Sequence, residues 1–513
     1  MSNTAPPAVR LTGIHKNFGT VQANRDVSLE VAHGTIHGII GENGAGKSTL
    51  VSILYGFYTA DAGRIEIDGR RVEIASAADA IRLGIGMVHQ HFMLVPTFTV
   101  LENVMLGAEG GLMLGPGIAA TRAELERLSR EHGLEIDPDA VVGDLPVGLQ
   151  QRVEILKALK RGARILILDE PTGVLTPDEA SRLFDILRAL KRDGVTILLI
   201  THKLREIMEV TDAVSVMRRG EMVGHRTPAT TTREELAELM VGRKVQLEVA
   251  PVAAEPGPVA LAAEELTWRD AAGVLRLDRV SLELRAGEIL GVAGVTGNGQ
   301  SELLDLLSGI AAPQQGRIRL GGREIDRSHP AGPAEMRQLG LAHVPEDRQH
   351  RGLVLEFDAA ENAVLGYHRG ERAGPGRLLS PAAMRALCRR LMERFDVRPP
   401  EPGLRAGGFS GGNQQKMVLA REIDVGPRVL LVGQPTRGVD IGAIEFINQQ
   451  LIELKQAGCA ILLVSVELDE ILALSDRIMV MNEGRVVGTI ARAEADRPRL
   501  GLMMAGIGEG AAA

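Results

Sequence analysis

A stretch of this chain occurs twice, and the repetition limits the fold more than any single motif. Val27-Ser28-Leu29-Glu30-Val31 returns as Val280-Ser281-Leu282-Glu283-Leu284, and Gly41 and Gly46 return as Gly294 and Gly299. Further along, Gln150-Gln151-Arg152 matches Gln414-Gln415-Lys416, Pro171-Thr172 matches Pro435-Thr436, and Arg219-Gly220-Glu221 matches Glu483-Gly484-Arg485. The offset is larger in the later pairs, so the second copy has gained a short stretch. A solenoid repeat is only about 20–50 residues long, so these copies read as two homologous globular domains. They span 8–247 and 259–506 of the 513 residues, with a linker at 248–258 whose prolines make it exposed and fairly stiff. From about residue 485 the chain reads as fading into a Gly/Ala-rich tail, disordered near its end.

Inside the first copy, Gly41-Glu42-Asn43-Gly44-Ala45-Gly46-Lys47-Ser48-Thr49 fits the phosphate-loop pattern G-x-x-x-x-G-K-[ST]. A short apolar strand, Thr35 to Ile40, precedes it, and the first turns of a helix, Leu50 to Leu54, follow. The glycines let backbone amides turn inward around an anion, and the helix start adds a favourable dipole. Lys47 brings a point charge to the outer phosphates, and the Ser48 hydroxyl is placed to ligate Mg²⁺.

Ile165-Leu166-Ile167-Leu168 reads as a buried strand ending in Asp169-Glu170. Asp169 suits the Mg²⁺ shell, and Glu170 suits polarisation of an attacking water. The next buried strand, Thr196 to Ile200, leads to His202, within reach of the γ-phosphate. Gln90 ends another apolar strand and is a candidate water or Mg²⁺ contact, and Phe18 either stacks on a base or packs in the core. Helices are expected near Thr121–His132, Leu149–Leu159 and Glu179–Leu190, and the alternation argues for an α/β domain with a largely parallel sheet.

These residues in this order resemble the ATP-binding cassette of ABC transporters. The aromatic loop is at Phe18, Walker A at Gly41 to Thr49, the Q-loop at Gln90, Walker B at Asp169-Glu170 and the switch histidine at His202. The second copy has Phe409-Ser410-Gly411-Gly412-Asn413-Gln414-Gln415, similar to the family's signature. The resemblance covers roughly residues 8 to 505. It implies an α/β fold of two tandem P-loop NTPase cassettes, each a mostly parallel core sheet with an antiparallel β subdomain and a helical subdomain. Two fused cassettes with a short linker resemble the ATPase subunit of bacterial importers of simple sugars and nucleosides. Met87 to Pro96 and Val147 to Lys157 are similar to the nucleoside branch. The implied cofactors are ATP and Mg²⁺. The implied partners are transmembrane permease subunits and, through them, an extracytoplasmic solute-binding protein. The implied location is the cytoplasmic face of the inner membrane. Resemblance also puts a permease coupling helix near the apolar stretch Phe92 to Pro96.

The copies depart from the family pattern in opposite ways. The second has Gln300 for Lys47, Gly433-Gln434 for Asp169-Glu170 and Val466 for His202, with Glu346 near the Q-loop position. That leaves little means of hydrolysis. The first has Pro146 where the second has Ser410, and proline supplies neither a hydroxyl nor an N–H. In the head-to-tail packing that the resemblance implies, ATP lies between the Walker motifs of one cassette and the signature of the other. Every intact part then falls in one site, with Ser410, Gly411, Gly412 and Asn413 completing the ATP site of Lys47, Asp169, Glu170 and His202.

Bulk properties narrow the remaining choices. A net charge of −8 argues against nucleic acid as a general partner. Cys388 and Cys459 are far apart, so neither a disulfide framework nor a cysteine metal cluster is expected, which fits a reducing compartment. Met1 to Pro7 lack the pattern of a signal peptide, and no apolar run is long enough to span a bilayer. Two other readings remain. Soluble twin-cassette ATPases that act on ribosomes have two intact sites and a long charged linker. A regulatory nucleotide-binding protein without turnover would not need Glu170 and His202.

Overall fold

In each half of the chain the longest apolar runs lie side by side in a six-stranded sheet. The computed structural model describes residues 6–89, 92–108, 114–173, 175, 177–245, 256–369 and 378–506. It divides into two compact units, Met1–Val245 and Gln246–Ala513. In the first, the sheet order is Glu221–Arg226, Ala213–Arg218, Ile36–Gly41, Thr196–Ile200, Ile165–Asp169, Ile85–Val88. All neighbours are parallel except the edge hairpin formed by Ala213–Arg218 and Glu221–Arg226. Every residue of Ile165–Asp169 and Thr196–Ile200 is buried, as expected of central parallel strands covered on both faces.

A separate four-stranded antiparallel sheet contains Val9–Phe18, Val21–Val31, Ala62–Ile67 and Arg70–Val72. The repeated Val-Ser-Leu-Glu-Val segment is one of its strands. Val27, Leu29 and Val31 point inward, and Ser28 and Glu30 point outward. Those inward residues meet Ile39, Leu50, Ile53, Leu54 and Leu198, so the helix Lys47–Leu54 is packed between the two sheets. Each fully buried Leu or Ile there is worth about 1.5–3 kcal/mol, which pins the loop before that helix from one side.

The second unit repeats the plan. Its six-stranded order is Leu341–Val344, Val429–Gly433, Ala460–Val464, Ile289–Ala293, Arg477–Asn482, Arg485–Ala491, and its antiparallel sheet contains Val259–Arg269, Leu275–Arg285, Gln315–Leu320 and Arg323–Ile325. Helices Pro381–Arg394 and Gly411–Ile423 close the other face through Leu387, Leu391, Val418 and Leu419. In the first unit the expected helices are Leu114–His132, Val147–Lys160 and Pro177–Arg192.

Most of the expected linker lies outside the described residues. Its last part already belongs to the second unit, because Gly257 donates to the Ala286 carbonyl at 2.9 Å and Ala286 donates to Pro258 at 3.0 Å. The fading tail is a correction. Arg485–Ala491 is the edge strand and Arg497–Met504 is a helix, because Ile490, Leu500, Met503 and Met504 supply apolar contacts to the core. Residues 507–513 lie outside the described ones. Among the described residues, no helix is long and apolar enough to cross a membrane.

Candidate active site

The loop from Gly41 to Thr49 depends on one glycine above the rest. Gly46 precedes the helix Lys47–Leu54 with φ +96°, a region that side chains disfavour. A Cβ there would lie 2.2 Å from the Ala23 carbonyl oxygen and 2.7 Å from Asn24 Nδ2. Asn24 is buried and donates to the Gly46 carbonyl at 3.1 Å, fixing the loop's end. Lys47 is 5 % exposed, and its Nζ donates to the carbonyls of Gly41 at 2.7 Å and Glu42 at 3.0 Å. Burial lowers its pKa, opposed by the charges of Glu170, Asp169 and Glu42. The first-turn amides of Lys47, Ser48 and Thr49 have no partner inside the helix, which makes this end an anion cradle.

Ser48 is exposed, and its hydroxyl hydrogen-bonds the Asp169 carboxylate. Asp169 ends the strand Ile165–Asp169 and is buried. Burial and then the neighbouring Glu170 charge push its pKa up, while Lys47 and Ser48 hold it down. Glu170 behaves oppositely. His202 Nδ1 lies 3.0 Å from Glu170 Oε1, and that bond leads in holding the Glu170 carboxyl below the usual range against burial. Two adjacent carboxyls with opposite shifts are a recurrent arrangement for divided acid–base roles. Glu170 also has φ +47°, its N–H donating to the Ile200 carbonyl at 2.8 Å. Such a conformation costs a non-glycine residue roughly 1–3 kcal/mol, which the strand pairing maintains.

Lys47, Ser48, Asp169, Glu170 and His202 are thus connected within one unit. Gly44 has φ +79°, and Glu42 accepts the Ala45 N–H at 3.1 Å, so the loop's middle is a turn beside exposed Asn43. Phe18 is 43 % exposed, which rules out core packing; its ring meets the Tyr58 edge at 5.1 Å and Lys16 Nζ at 5.6 Å. Gln90 lies outside the described residues.

The sequence reading missed Glu206. Its carboxylate bonds the Thr172 hydroxyl and, at 3.1 Å, the Thr201 hydroxyl, and burial raises its pKa. It therefore ties the turn after Glu170 to the residue before His202. A lone acid on the apolar side of Leu204–Val210, beside Leu204, Ile207 and Val210, was the available signal.

In the second unit the backbone is retained while the chemistry changes. Gly299 has φ +99° and precedes helix Gln300–Leu307, and Gln300 Nε2 donates to the Val295 carbonyl at 3.2 Å. Gln434 keeps φ +49° and the 2.8 Å bond to the Val464 carbonyl, but its Oε1 accepts the Val466 N–H at 3.3 Å where Glu170 meets an imidazole. Ser410 caps the helix Gly411–Ile423, accepting from Asn413 N at 3.4 Å and Asn413 Nδ2 at 2.9 Å. Pro146 caps Val147–Lys160 with no side-chain bond.

The profile of the family described as ABC transporter matches residues 24–173 and 277–437. The chain is 44% identical over 498 residues to the nucleoside import ATP-binding protein NupA of Lactococcus lactis, covering 97% of this chain and 98% of that one. It is 45% identical to the guanosine import ATP-binding protein NupO of Bacillus subtilis, covering 97% of each. It is 42% identical to the ribose import ATP-binding protein RbsA 1 of Rubrobacter xylanophilus, covering 98% of each. A solved complex of archaeal ribosomal stalk protein aP1 and archaeal ribosome recycling factor aABCE1 contains a chain with TM-score 0.64. At 19% identity, over 96% of this chain and 92% of that one, it shares the fold alone. The chain belongs to the ABC transporter family, among the ATP-binding proteins that carry two cassettes in one polypeptide.

Proposed function

We propose that this chain is the ATP-hydrolysing subunit of a membrane importer of nucleosides or simple sugars, with one hydrolytic site and one degenerate site. The observation that carries the reading is the linked set Lys47, Ser48, Asp169, Glu170 and His202, set beside a second unit that keeps the same backbone and a serine at Ser301 but not the lysine, the two carboxylates or the imidazole. Names of relatives at 42–45% identity over nearly the whole chain support the importer class, and the nucleoside and guanosine proteins among them support the nucleoside branch.

The chemistry is phosphoryl transfer from ATP to water, driven by positioning and charge stabilisation. Loop amides and Lys47 hold the outer phosphates. Ser48 and Asp169 form a hydroxyl–carboxylate pair of the kind that suits a hard divalent cation, and Gln90 is assigned as a further contact by resemblance. Mg²⁺ held by those oxygens would supply positive charge against the phosphates. Glu170 stays ionised and accepts a proton from the attacking water, while His202 orients it. Ser410, Gly411, Gly412 and Asn413 complete this site from the second cassette in the family's head-to-tail pairing. ATP closes the cassettes and hydrolysis reopens them, which drives the permease.

The chain is held at the cytoplasmic face of the inner membrane through its permease, which receives solute from an extracytoplasmic binding protein. Met93, 60 % exposed, and Phe98 offer apolar surface for that contact. The test is co-reconstitution with the permease and binding protein encoded beside it, followed by ATP hydrolysis and uptake of labelled nucleosides and ribose. Nucleoside-stimulated hydrolysis with uptake is the expected result. Hydrolysis indifferent to the permease, with salt-sensitive co-sedimentation on ribosomes, would overturn the importer reading.

A further inference from the structure

The helix Gly411–Ile423, capped by Ser410, is gripped at its start by side chains that the first unit lacks. They come from Arg348–Gly352, a single wide turn that follows the edge strand Leu341–Val344. Asp347 braces this turn, its Oδ1 accepting from Gln349 N at 2.9 Å and His350 N at 3.0 Å. Gln349 Nε2 then donates to Gln414 Oε1 at 3.1 Å, inside the helix's first turn. Arg348 Nη1 donates to the Arg437 carbonyl at 2.7 Å. Arg437 lies in the turn after Gln434, and its N–H donates to the Gln434 carbonyl at 3.2 Å.

The grip is close enough to account for a glycine. A Cβ on Gly411 would lie 2.6 Å from Arg348 Nη2 and 3.2 Å from the Gly438 carbonyl oxygen, and a Cβ on Gly438 would lie 3.6 Å from the same Nη2. The guanidinium is thus wedged between the first residue of the helix and the turn at Arg437-Gly438. The first unit holds other residues at these places. Val88 and Val344 end matching strands, so Phe92 stands where Arg348 does. Val147 begins the matching helix where Gly411 leaves room, and Gly173 stands for Arg437. The arginine and the glycine that admits it occur together, beside the signature that keeps its serine. Helix stability does not explain the pairing, because a cation at a helix N-terminus opposes the helix dipole. Arg348 Nε is also buried with no hydrogen-bond partner among the described residues, which costs the fold. What the arrangement contributes is position.

We infer that Arg348 is a positioning residue for ATP hydrolysis: its guanidinium seats the start of the signature helix against the Arg437 turn, and so fixes the direction in which Ser410 presents its hydroxyl to ATP held at the Lys47 loop. Arg348 touches no reacting atom and acts through Ser410. This inference rests on the reading of Ser410 as part of the hydrolytic site.

The test measures ATP hydrolysis in the assembled transporter for Arg348→Ala and for Arg348→Met, which keeps most of the stem and removes the donors, with thermal melting to confirm folding. In both variants kcat should fall roughly tenfold or more, since displacing a positioned group by about 1 Å costs on the order of 10²-fold. ATP affinity at equilibrium should be unchanged, because the Lys47 loop is untouched. In a chain that already carries Ser410→Ala, adding Arg348→Ala should lower kcat by less than about threefold more, because the group it positions is gone. A residue that only supports the fold would cost the same factor in either background. Unchanged kcat in both Arg348 variants, or an equal fold-loss with and without Ser410, would overturn the inference. A rate that Ser410→Ala alone leaves unchanged would overturn the reading of Ser410 as well.

Discussion

Ser410 and Pro146 occupy the same place in the two copies, so replacing each with alanine compares the two signatures directly. Ser410 Oγ accepts from Asn413 N and Nδ2, which leaves its hydroxyl hydrogen to be donated. Donation to a γ-phosphate is a charge-assisted bond worth about 1.5–3 kcal/mol, so Ser410→Ala should slow hydrolysis roughly 10- to 150-fold. The same substitution removes a helix cap, at a cost of about 1 kcal/mol, which is roughly 2–4 °C in melting temperature for a unit of this size. Pro146 contributes no side-chain cap, and its carbonyl bonds from Leu149 and Gln150 survive in any residue. Pro146→Ala should act only through chain freedom, on the order of 1 kcal/mol of stability, with the rate little changed. The assay is ATPase rate at saturating ATP in the assembled transporter, beside melting curves of both variants. Equal rate losses, or a larger loss for Pro146→Ala, would refute the assignment of Ser410 to the hydrolytic site.

Three further outcomes follow from the geometry. His202→Ala removes the bond that leads in holding the Glu170 carboxyl down and leaves burial to push it up, against Lys47 and Lys203; the acid limb of the pH–rate profile should move to higher pH, and an unmoved limb would detach His202 from Glu170. Gly46→Ala forces a Cβ to 2.2 Å from the Ala23 carbonyl at a left-handed φ; backbone strain alone costs about 1–3 kcal/mol, so melting should fall by at least several degrees, read by calorimetry. Burial pushes the Glu470 carboxyl up to about 7, so its contribution to stability is full below the ordinary glutamate range and is lost as pH rises through 7; Glu470→Gln should therefore raise melting temperature more at pH 8 than at pH 5, and the reverse order would contradict this.

The parallel strands were legible because they are unbroken apolar runs between turn residues, and Ile165 to Leu168 needs no other signal. The antiparallel strand at Val27 was legible through its alternation. The ordered end of the chain was not, because Ile490, Leu500 and Met503 are spaced among glycine, arginine and alanine, and only the neighbouring core shows what they pack against. The site's glycines and acids could be named from spacing. What spacing could not give was partnership across elements. Glu206 reaches two threonines, one of them 34 residues away in sequence, and Glu346 accepts from Ser301, 45 residues away. An exchange between the copies was visible only as opposite signs at matched positions. Arg25 pairs with Glu221 at 2.7 Å in the first unit, and Asp278 pairs with Arg485 at 2.6 Å in the second, the charges swapped.

The claim that one site carries all hydrolysis rests on Glu170, whose counterpart is already Gln434. Steady-state ATPase activity of Glu170→Gln, measured in the assembled transporter with ATP binding verified separately, tests it most directly. Loss of a positioned general base should lower the rate by about 10²-fold or more with ATP still bound. Activity within a few-fold of the unmodified protein would contradict it, and would mean that hydrolysis proceeds through groups other than the Glu170–His202 pair.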